Sequence, residues 1–524
     1  MRRTGRLRSG AAAALALLAV AGPRAAVAQG APPAPLPPAR SAALDRISAD
    51  SLKGHLSFLS SDLLEGRDTP SRGLDLAAEY IAAQFRRAGL EPIGDDGYFQ
   101  TARWEIEESD PSSFVLQVGT DADRARVRED RISQARFAGV DLKGAPLVKV
   151  DFAAAAALKP EEVAGKVVLV EMPDPRRIDR DKRGPTIRAI GEFQAKMAAA
   201  GAAFILNVGR DAEAATGLGP GRLIDPQSPP PVPPGGAVPS ATVHDNDVSR
   251  LFDAMPAGPA PEAATATIRL APTTRRPVVI RNVVGLLRGS DPAMKETYVM
   301  VTAHYDHVGV RGPAGTDRIY NGANDDGSGT VSVIEIASAL ATLKERPKRS
   351  LVFVTFFGEE KGLLGSRYYG RNPVVPVDKT VADVNLEQVG RTDSSEGPQV
   401  ATASLTGFGF SEVSTILADA GQAEGIRVYK HPTNSDAYFG ASDNQALADL
   451  GVPAHTLCVA YQYADYHGPA DHWDKIDYAN MARIDRMVAR ALLAIADDPD
   501  EPKWDASNPK AAKYLKAWQD RRGR

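Results

Sequence analysis

The segment GANDDGSG, residues 322–329, is the part of the chain whose surroundings decide the fold. It stands directly before TVSVIEIASALATLKE, an amphipathic run that predicts a helix. The apolar run YVMVTA precedes it and LVFVTFF follows it, and VADVNL and VPAHTLCVA come later in the chain. Continuous apolar strands separated by helices predict an α/β fold, with a mostly parallel mixed sheet flanked by helices.

Side chains that can bind metal ions stand where these predicted strands end. One histidine follows the first strand, an acidic pair follows the second, and a glutamate follows the third. Because ligands collect at the carboxyl ends of parallel strands, a single site could hold all of them. The candidates in chain order are His304, Asp325, Glu359, Glu360, Glu387 and His467.

Each candidate also has an ordinary structural explanation. Asp325 and Asp326 could form a turn that caps the following helix, and Glu359 with Glu360 could be a solvated strand end. Most of the eight histidines should be surface or core residues. Taken together, however, these hard and borderline ligands favour a pair of divalent cations over a single structural zinc.

The composition is that of an ordinary globular protein with room for more than one domain. The 524 residues are 43% hydrophobic and 24% charged, with a formal net charge of -4. No basic stripe stands out, so the sequence predicts no nucleic-acid partner. Cys458 is the single cysteine, which excludes an intramolecular disulfide and predicts a buried core thiol.

The N-terminus has the pattern of a secretory signal, predicted over residues 1–28. Four arginines precede the apolar run AAAALALLAVAG, and Ala26-Val27-Ala28 fits a cleavage site. A membrane anchor is the alternative, but a span needs about 20 apolar residues, and this run is shorter. We therefore expect an exported protein, periplasmic or extracellular, without a stable membrane anchor. Residues 29–41 are predicted to be an extended Pro/Ala linker.

Differences in composition divide the remainder of the chain. Residues 42–139 and 272–500 are predicted to be the two parts of a catalytic domain, and residues 501–524 a C-terminal tail. The stretch 140–271 has its own strand and helix patterns and a loop rich in proline and glycine, and it holds none of the candidate ligands. We therefore predict that it is an inserted smaller α/β domain.

The motifs of this chain resemble those of the co-catalytic zinc exopeptidases of the aminopeptidase Y and glutamate carboxypeptidase type. The resemblance begins at LSSDLLEGRDTPSRGLDLAAEYIAAQFRRAGLEP, covers most of the chain after the linker, and keeps the family's order and spacing. The insert is more weakly similar to the protease-associated domain of many members. The other matching motifs are HYDHVG, GANDDGSGT, FFGEEKGLLGS, NLEQVGR, SDNQALADLGVPA and YHGPADHWDKI.

The resemblance implies two Zn²⁺ ions per chain, with Co²⁺ or Mn²⁺ as alternative ions. It places His304 on the first metal and Asp325 as the bridge between both metals. Glu360 and His467 would bind the second metal. Glu387 occupies a position that usually holds Asp as a ligand of the first metal, so this ligand is one methylene longer here.

The resemblance also implies roles beside the metals. Glu359 matches the general base, and Asp306 matches the carboxylate that orients the His304 imidazole. Tyr466 is a candidate donor to the developing oxyanion. We expect His307 to be a structural or rim residue and His472 to contact substrate or solvent instead of metal.

The predicted function is that of an exported zinc aminopeptidase acting on peptides through a metal-activated water and a glutamate base. A carboxypeptidase or dipeptidase on the same scaffold is the nearest alternative, because the metal site would cleave an amide in either case. Glutaminyl cyclisation by one zinc ion and an inactive binding module are less favoured, since a complete set of ligands and the base are present.

Overall fold

The computed structural model describes residues 35–178, 180–211, 215, 217–219, 221–227, 238–259, 264–311 and 316–523. The predicted signal peptide, residues 1–28, lies outside these ranges, as does the linker up to residue 34. The end of the predicted linker is helical instead of extended, because the helix Pro38–Leu44 begins there. Proline is favoured at the first helical position, where its fixed φ suits the helix and no amide donor is required.

The main sheet has ten strands, and its centre is parallel, which confirms the predicted fold class. The four central strands are the four apolar runs predicted from the sequence, and they run parallel to one another. Every residue in these strands is buried, as expected when helices cover both faces of a sheet. From edge to edge the strands are Arg427–Tyr429, Thr402–Leu405, Ala454–Cys458, Thr380–Leu386, Tyr298–His304, Ser350–Phe356, Thr274–Leu287, Phe99–Glu108 and Arg222–Ile224, with Glu91–Pro92 beside Thr274–Leu287.

Helices cover both faces of this sheet. None of the described helices has the length and apolar character that crossing a membrane would require. The helices that join the larger core are Pro38–Leu44, Ala49–Leu59, Arg72–Ala88, Gly329–Leu340, Val413–Glu424 and Tyr478–Asp497. Helices whose buried residues join the core on the opposite face are Leu364–Arg371, Asn444–Ala448 and Ala512–Arg521, and Asn434–Ala437 is a further short helix. Short helical turns lie at Asp62–Arg67, Pro111–Ser113, Glu129–Arg131, Ala155–Ala157, Pro175–Arg177, Val377–Lys379 and Trp473–Lys475.

A second sheet of nine strands, with hydrophobic cores of its own, is built from residues 115–270. It therefore includes three strands that precede residue 140, the predicted start of the insert. The helices of this region are Pro160–Val163, Arg180–Ala199 and Asn246–Ala254. Its strands are Val115–Gly119, Arg124–Val127, Ile132–Arg136, Val140–Val150, Val167–Val170, Phe204–Val208, Ser240–Val243, Gly258–Pro259 and Thr265–Leu270.

One strand from within the predicted insert belongs to the main sheet. Arg222–Ile224 pairs with Phe99–Glu108 in antiparallel register, and Arg222 forms an ion pair with Glu107. Short alternating strands can pair with either sheet, because the choice depends on contacts that are distant in sequence. The two sheets are therefore joined by more than the chain connections at the ends of the insert.

The C-terminal segment packs against the catalytic sheet instead of extending from it as a tail. Trp504 and Tyr514 are buried, and their rings stack with centroids 5.1 Å apart. The Trp504 indole N–H donates to the Gly451 carbonyl at 2.9 Å. The segment predicted to be a tail, residues 501–524, thus contributes Trp504, Ala511 and Tyr514 to one hydrophobic core.

A buried acidic residue lies in the helical layer behind the main sheet. Asp485, on the helix Tyr478–Asp497, is inaccessible to solvent and lies near Glu335. Burial raises the pKa of Asp485 to about 8; Glu335 adds to this rise, while Ser332 and Arg486 oppose it. The folded protein thus retains a proton that the unfolded chain releases near pH 4.

We expect Asp485→Asn to stabilise the protein increasingly as the pH rises. Between about pH 4 and pH 8 only the folded state holds the Asp485 proton, so stability falls with rising pH. The difference in free energy of unfolding between Asp485→Asn and wild type should therefore grow, in favour of the variant, by roughly 4 kcal/mol from pH 5 to pH 8. Denaturant unfolding at each pH measures this difference. The control is Asp419→Asn on the exposed face of the helix Val413–Glu424. Equal pH responses of the two variants would contradict the prediction.

Candidate metal centre

The structure brings the six predicted metal-site side chains to the carboxyl edge of the main sheet. Three central strands end at or just before a candidate, and the loop 322–328 presents Asp325 in front of the helix Gly329–Leu340. His467 reaches the same place from a loop beyond the strand Ala454–Cys458. This location follows from the parallel order of the strands, because their carboxyl ends share one edge.

Asp325 stands between two imidazoles. Its Oδ1 lies 3.4 Å from His304 Nε2, and its Oδ2 lies 2.9 Å from His467 Nε2. The same His467 nitrogen is 3.2 Å from Glu360 Oε1. A carboxylate whose two oxygens face different imidazoles has the arrangement required to bridge two cations.

The ligand atoms form two groups that share Asp325. In the first group, atoms of His304, Asp325 and Glu387 lie within 4.8 Å of one another. In the second group, atoms of His307, Asp325 and Glu360 do so. The longer side chain of Glu387 therefore still reaches the first group. His307, which we expected to be a structural or rim residue, lies within the second.

Asp306 holds both His304 and the predicted base. The His304 Nδ1–H donates to the Asp306 backbone carbonyl at 3.2 Å, and Asp306 Oδ1 lies 3.6 Å from that nitrogen. This contact leaves His304 Nε2 directed towards Asp325. Asp306 Oδ1 also accepts a hydrogen bond of 3.0 Å from the Glu359 backbone N–H. Asp306 thus holds His304 through its backbone carbonyl and the Glu359 backbone through its carboxylate.

Two further carboxylates hold the loop that carries Asp325. Asp471 accepts hydrogen bonds from the backbone N–H groups of Asn324 and Asp325, at 2.9 and 3.2 Å. Asp326 accepts one of 3.1 Å from the Gln388 backbone N–H, next to Glu387. Asp326 therefore joins the loop to a neighbouring strand end, whereas Asp325 faces the two imidazoles. Its doublet with Asp325 was visible in the sequence, but this supporting role was not.

A cavity of about 440 Å³ opens onto both metal groups. Glu359 lines it, with Oε2 at 3.9 Å from His304 Nε2. The Tyr466 ring also lines it and stacks on the His467 ring, with centroids 4.1 Å apart. His472 lies outside both groups, 3.8 Å from Asp317. A larger cavity of about 1010 Å³ lies in the second sheet and contains none of the predicted metal ligands.

The environment separates the pKa values of the carboxyl groups. Burial raises the pKa of Asp325, but the close contacts with the His304 and His467 imidazoles outweigh this effect and bring it well below its usual value. Burial and Asp325 also raise the pKa of Glu360, yet its histidine contacts lower it to about 2. In contrast, burial raises the pKa of Glu359 well above normal, with partial opposition from His304. Neighbouring carboxyl groups whose pKa values are shifted in opposite directions suit separate ligand and base roles.

The residues fit a pair of divalent cations. Buried polar atoms normally have hydrogen-bond partners, but His304 Nε2 and Glu360 Oε1 have none within the described ranges. Both atoms belong to the clusters of nitrogen and carboxylate donors described above. Such mixed donors suit zinc and related ions. Cations would satisfy the unpaired atoms and offset the crowded negative charge.

Arg67 supports the backbone beside the site and was not predicted from the sequence. It is fully buried, and its guanidinium donates to four backbone carbonyls. No sequence pattern indicates its role, because its partners are main-chain carbonyls and three of the four lie more than 230 residues away. The acceptors are the carbonyls of Leu59, Tyr305, Asn321 and Gly322, at distances from 2.5 to 2.8 Å.

We expect Arg67→Met to destabilise the protein by about 3–5 kcal/mol and to weaken zinc binding. Burial lowers the pKa of Arg67 to about 10, with Asp306 and Asp326 opposing the shift, so the side chain stays charged at neutral pH. Methionine would leave the carbonyls before Asp306 and Asp325 unpaired. Arg72→Met, at an exposed position, is the control. Equal unfolding free energies and equal zinc affinities for the two variants would argue against an anchoring role.

A family model described as Peptidase family M28 matches residues 282–492. This confirms the resemblance to the zinc exopeptidases. The match includes the metal groups and most of the main sheet and lies outside the second sheet. The likeness of the insert to a protease-associated domain stays a prediction.

Curated relatives match over shorter stretches. A "Probable zinc metalloprotease" of Leptosphaeria maculans is 42% identical over 199 residues, which are 37% of this chain and 44% of that protein. A "Probable leucine aminopeptidase" of Trichophyton verrucosum is 26% identical over 224 residues, 40% of this chain and 57% of that protein. The chain thus spans about half the length of these two relatives.

Solved structures share the fold over nearly the whole chain. An aminopeptidase from Aneurinibacillus sp. strain AM-1 aligns with a TM-score of 0.58 and 20% identity, covering 90% of this chain and 98% of the other. A zinc aminopeptidase from Bacillus subtilis aligns with a TM-score of 0.56 and 18% identity, covering 87% and 97%. At these identities the likeness establishes the fold alone.

Proposed function

We propose that this chain, whose residues 282–492 match Peptidase family M28, is an exported zinc aminopeptidase that removes N-terminal residues from peptides. The position of Asp325 carries the proposal. Its two oxygens lie 3.4 Å from His304 Nε2 and 2.9 Å from His467 Nε2, beside the cavity that Glu359 lines. That geometry supports a bridged pair of cations with a free carboxylate next to it.

Two Zn²⁺ ions would be held by the predicted ligands, with Co²⁺ or Mn²⁺ as alternatives. His304, Asp325 and Glu387 would hold the first ion, and Asp325, Glu360 and His467 the second. Ions at these positions would supply Lewis-acid polarisation of the scissile carbonyl and lower the pKa of water. The donor set matches the ion preferences expected for imidazole and carboxylate ligands.

The remaining residues would handle the proton and the substrate. Glu359 would take a proton from water and deliver it to the departing amine nitrogen. Asp306 would hold Glu359 and His304 in position through the contacts described above. The Tyr466 hydroxyl, next to His467, would donate to the carbonyl oxygen as negative charge develops there.

Cleavage at the amino end of the substrate is supported by the relatives. One curated relative is named as a leucine aminopeptidase, and two structural neighbours are named as aminopeptidases. Export to the periplasm or the extracellular space is supported by the signal pattern of residues 1–28. We also propose that the insert is a protease-associated domain, as its weaker sequence likeness indicates.

A carboxypeptidase or dipeptidase is the second candidate, and Arg367 favours it. This exposed cation lines the same cavity as Glu359 and Glu360. A guanidinium there could pair with the terminal carboxylate of a short peptide. Both candidates would use the same metal groups, so substrate choice distinguishes them.

The test compares three substrates on the zinc-loaded protein. An aminoacyl anilide reports aminopeptidase activity, an N-acetylated dipeptide with a free carboxylate reports carboxypeptidase activity, and an N-terminal glutaminyl peptide reports cyclisation. We expect rapid turnover of the anilide and loss of that turnover after chelation. Cleavage of the acetylated dipeptide alone would overturn the aminopeptidase proposal. Cyclisation alone would overturn both the aminopeptidase and the carboxypeptidase or dipeptidase assignments. A protein that binds zinc but converts none of the substrates would be a binding module.

A further inference from the structure

His307 lies deeper in the centre than its place in the sequence suggested. It follows the strand Tyr298–His304 by three residues and is inaccessible to solvent. Its backbone N–H donates to the Arg67 carbonyl at 3.2 Å. Its ring lies against the loop that carries Asp325: a Cβ added at Gly322 would stand 2.4 Å from His307 Cγ. Backbone on two sides therefore fixes the imidazole.

The ring faces the second metal group without making an aligned hydrogen bond. His307 Nδ1 is 2.9 Å from Glu360 Oε1, yet neither atom has a hydrogen-bond partner within the described ranges. His304 Nε2 likewise has no hydrogen-bond partner within the described ranges, although it lies 3.4 Å from Asp325 Oδ1. Two donors to one ion lie close together while both point at the ion and not at each other. The short distance between His307 Nδ1 and Glu360 Oε1, without a hydrogen bond, therefore fits two ligands of the same ion.

A structural histidine elsewhere in this chain shows the contrast. The buried His455 has both ring nitrogens paired, Nε2 with Ser411 Oγ at 2.6 Å and Nδ1 with the Thr406 carbonyl at 2.8 Å. Buried imidazoles are normally satisfied in this way. His307 departs from that rule where metal-binding atoms converge.

We propose that His307 binds the second divalent cation through Nδ1, as the third imidazole of the centre. The inference rests on the proposed function, because it assumes that the centre holds two cations. His307, Asp325 and Glu360 have ligand atoms within 4.8 Å of one another. His467 adds a fourth donor at 3.2 Å from Glu360 Oε1, from a loop where its side chain is 36% exposed.

The two sites are then unequal. The second has four protein donors: His307, Asp325, Glu360 and His467. The first has three: His304, Asp325 and Glu387. Three protein ligands with an open position are typical of catalytic zinc sites, and four are typical of closed ones. The second cation is therefore the more tightly held, and its buried donors stay in place when His467 is removed.

The test identifies imidazole ligands directly. The protein is loaded with a spin-active cadmium isotope, and NMR correlates cadmium with carbon-bound imidazole protons, which do not exchange with solvent. We expect three imidazoles in the wild-type protein and two in His307→Gln, with zinc affinity at the second site reduced at least about tenfold. His472→Gln, outside both groups, should retain three imidazoles and normal affinity.

A second comparison uses His467. We expect His467→Ala to keep two ions with weakened affinity for one, and the double variant with His307→Gln to keep only one. Only two imidazoles on cadmium in the wild-type protein would overturn the proposal, even if the variants failed to fold. An unchanged cadmium spectrum in folded His307→Gln would also overturn it. The readout requires no turnover, so a protein with three imidazole ligands and no peptidase activity would refute only the proposed function.

Discussion

Glu359→Gln is expected to lower kcat by about two to four orders of magnitude while the protein keeps both zinc ions. Glu359 lies 3.9 Å from His304 Nε2 and belongs to neither group of ligand atoms. Its backbone is held by Asp306, so the amide variant should keep the position of the side chain. Glutamine has nearly the same shape but cannot accept the proton from water.

Glu360→Gln is the matched control, because the two glutamates are adjacent. Glu360 Oε1 is 3.2 Å from His467 Nε2, and the carboxylate belongs to the second metal group. Glu360→Gln should therefore lower the zinc content, whereas Glu359→Gln should not. Metal analysis and steady-state kinetics on both variants separate the roles. Near-normal turnover in Glu359→Gln, or equal zinc loss in both variants, would exclude Glu359 as a base that stays off the metals.

Asp325→Asn is expected to reduce the zinc content from about two ions per chain to one or none, and turnover with it. Asp325 presents one oxygen to each imidazole, so the amide replaces one of these oxygens with a nitrogen that donates hydrogen bonds. It also removes a negative charge that the cations neutralise. Few single substitutions should disturb both sites at once.

Thermal unfolding gives an independent measure of the same effect. Zinc at about a thousandfold above its dissociation constant should stabilise the wild-type protein by about 4 kcal/mol per site. This increment should be halved or absent in Asp325→Asn. Equal zinc increments in the two proteins would contradict a bridging role.

The parts of the centre that could be predicted are those that follow strands. His304, Glu359 and Glu387 each come at or just after a continuous apolar run, and parallel strands bring such ends to one edge. Asp325 could be placed because the glycine-rich loop precedes an amphipathic helix. These positions depend on local pattern and one topological rule, both of which can be read in a single sequence.

The supporting contacts could not be predicted in this way. Arg67 binds carbonyls of residues up to 255 positions away, and any residue type offers a carbonyl. His307 looked like a rim residue because nothing in HYDHVG shows which histidine faces Glu360. The start of the second sheet at Val115 was missed for a similar reason. A short alternating strand fits either sheet until its partners are known.

The strand Arg222–Ile224 limits how this protein can be shortened. It covers part of Phe99–Glu108, a strand of ten residues at that side of the main sheet. Excising the second sheet as a unit would uncover this edge, and unprotected edge strands pair with other chains. A truncated catalytic fragment should therefore aggregate unless the edge is blocked, for example by inward-facing lysine. The insert thus protects part of this edge from pairing with other chains.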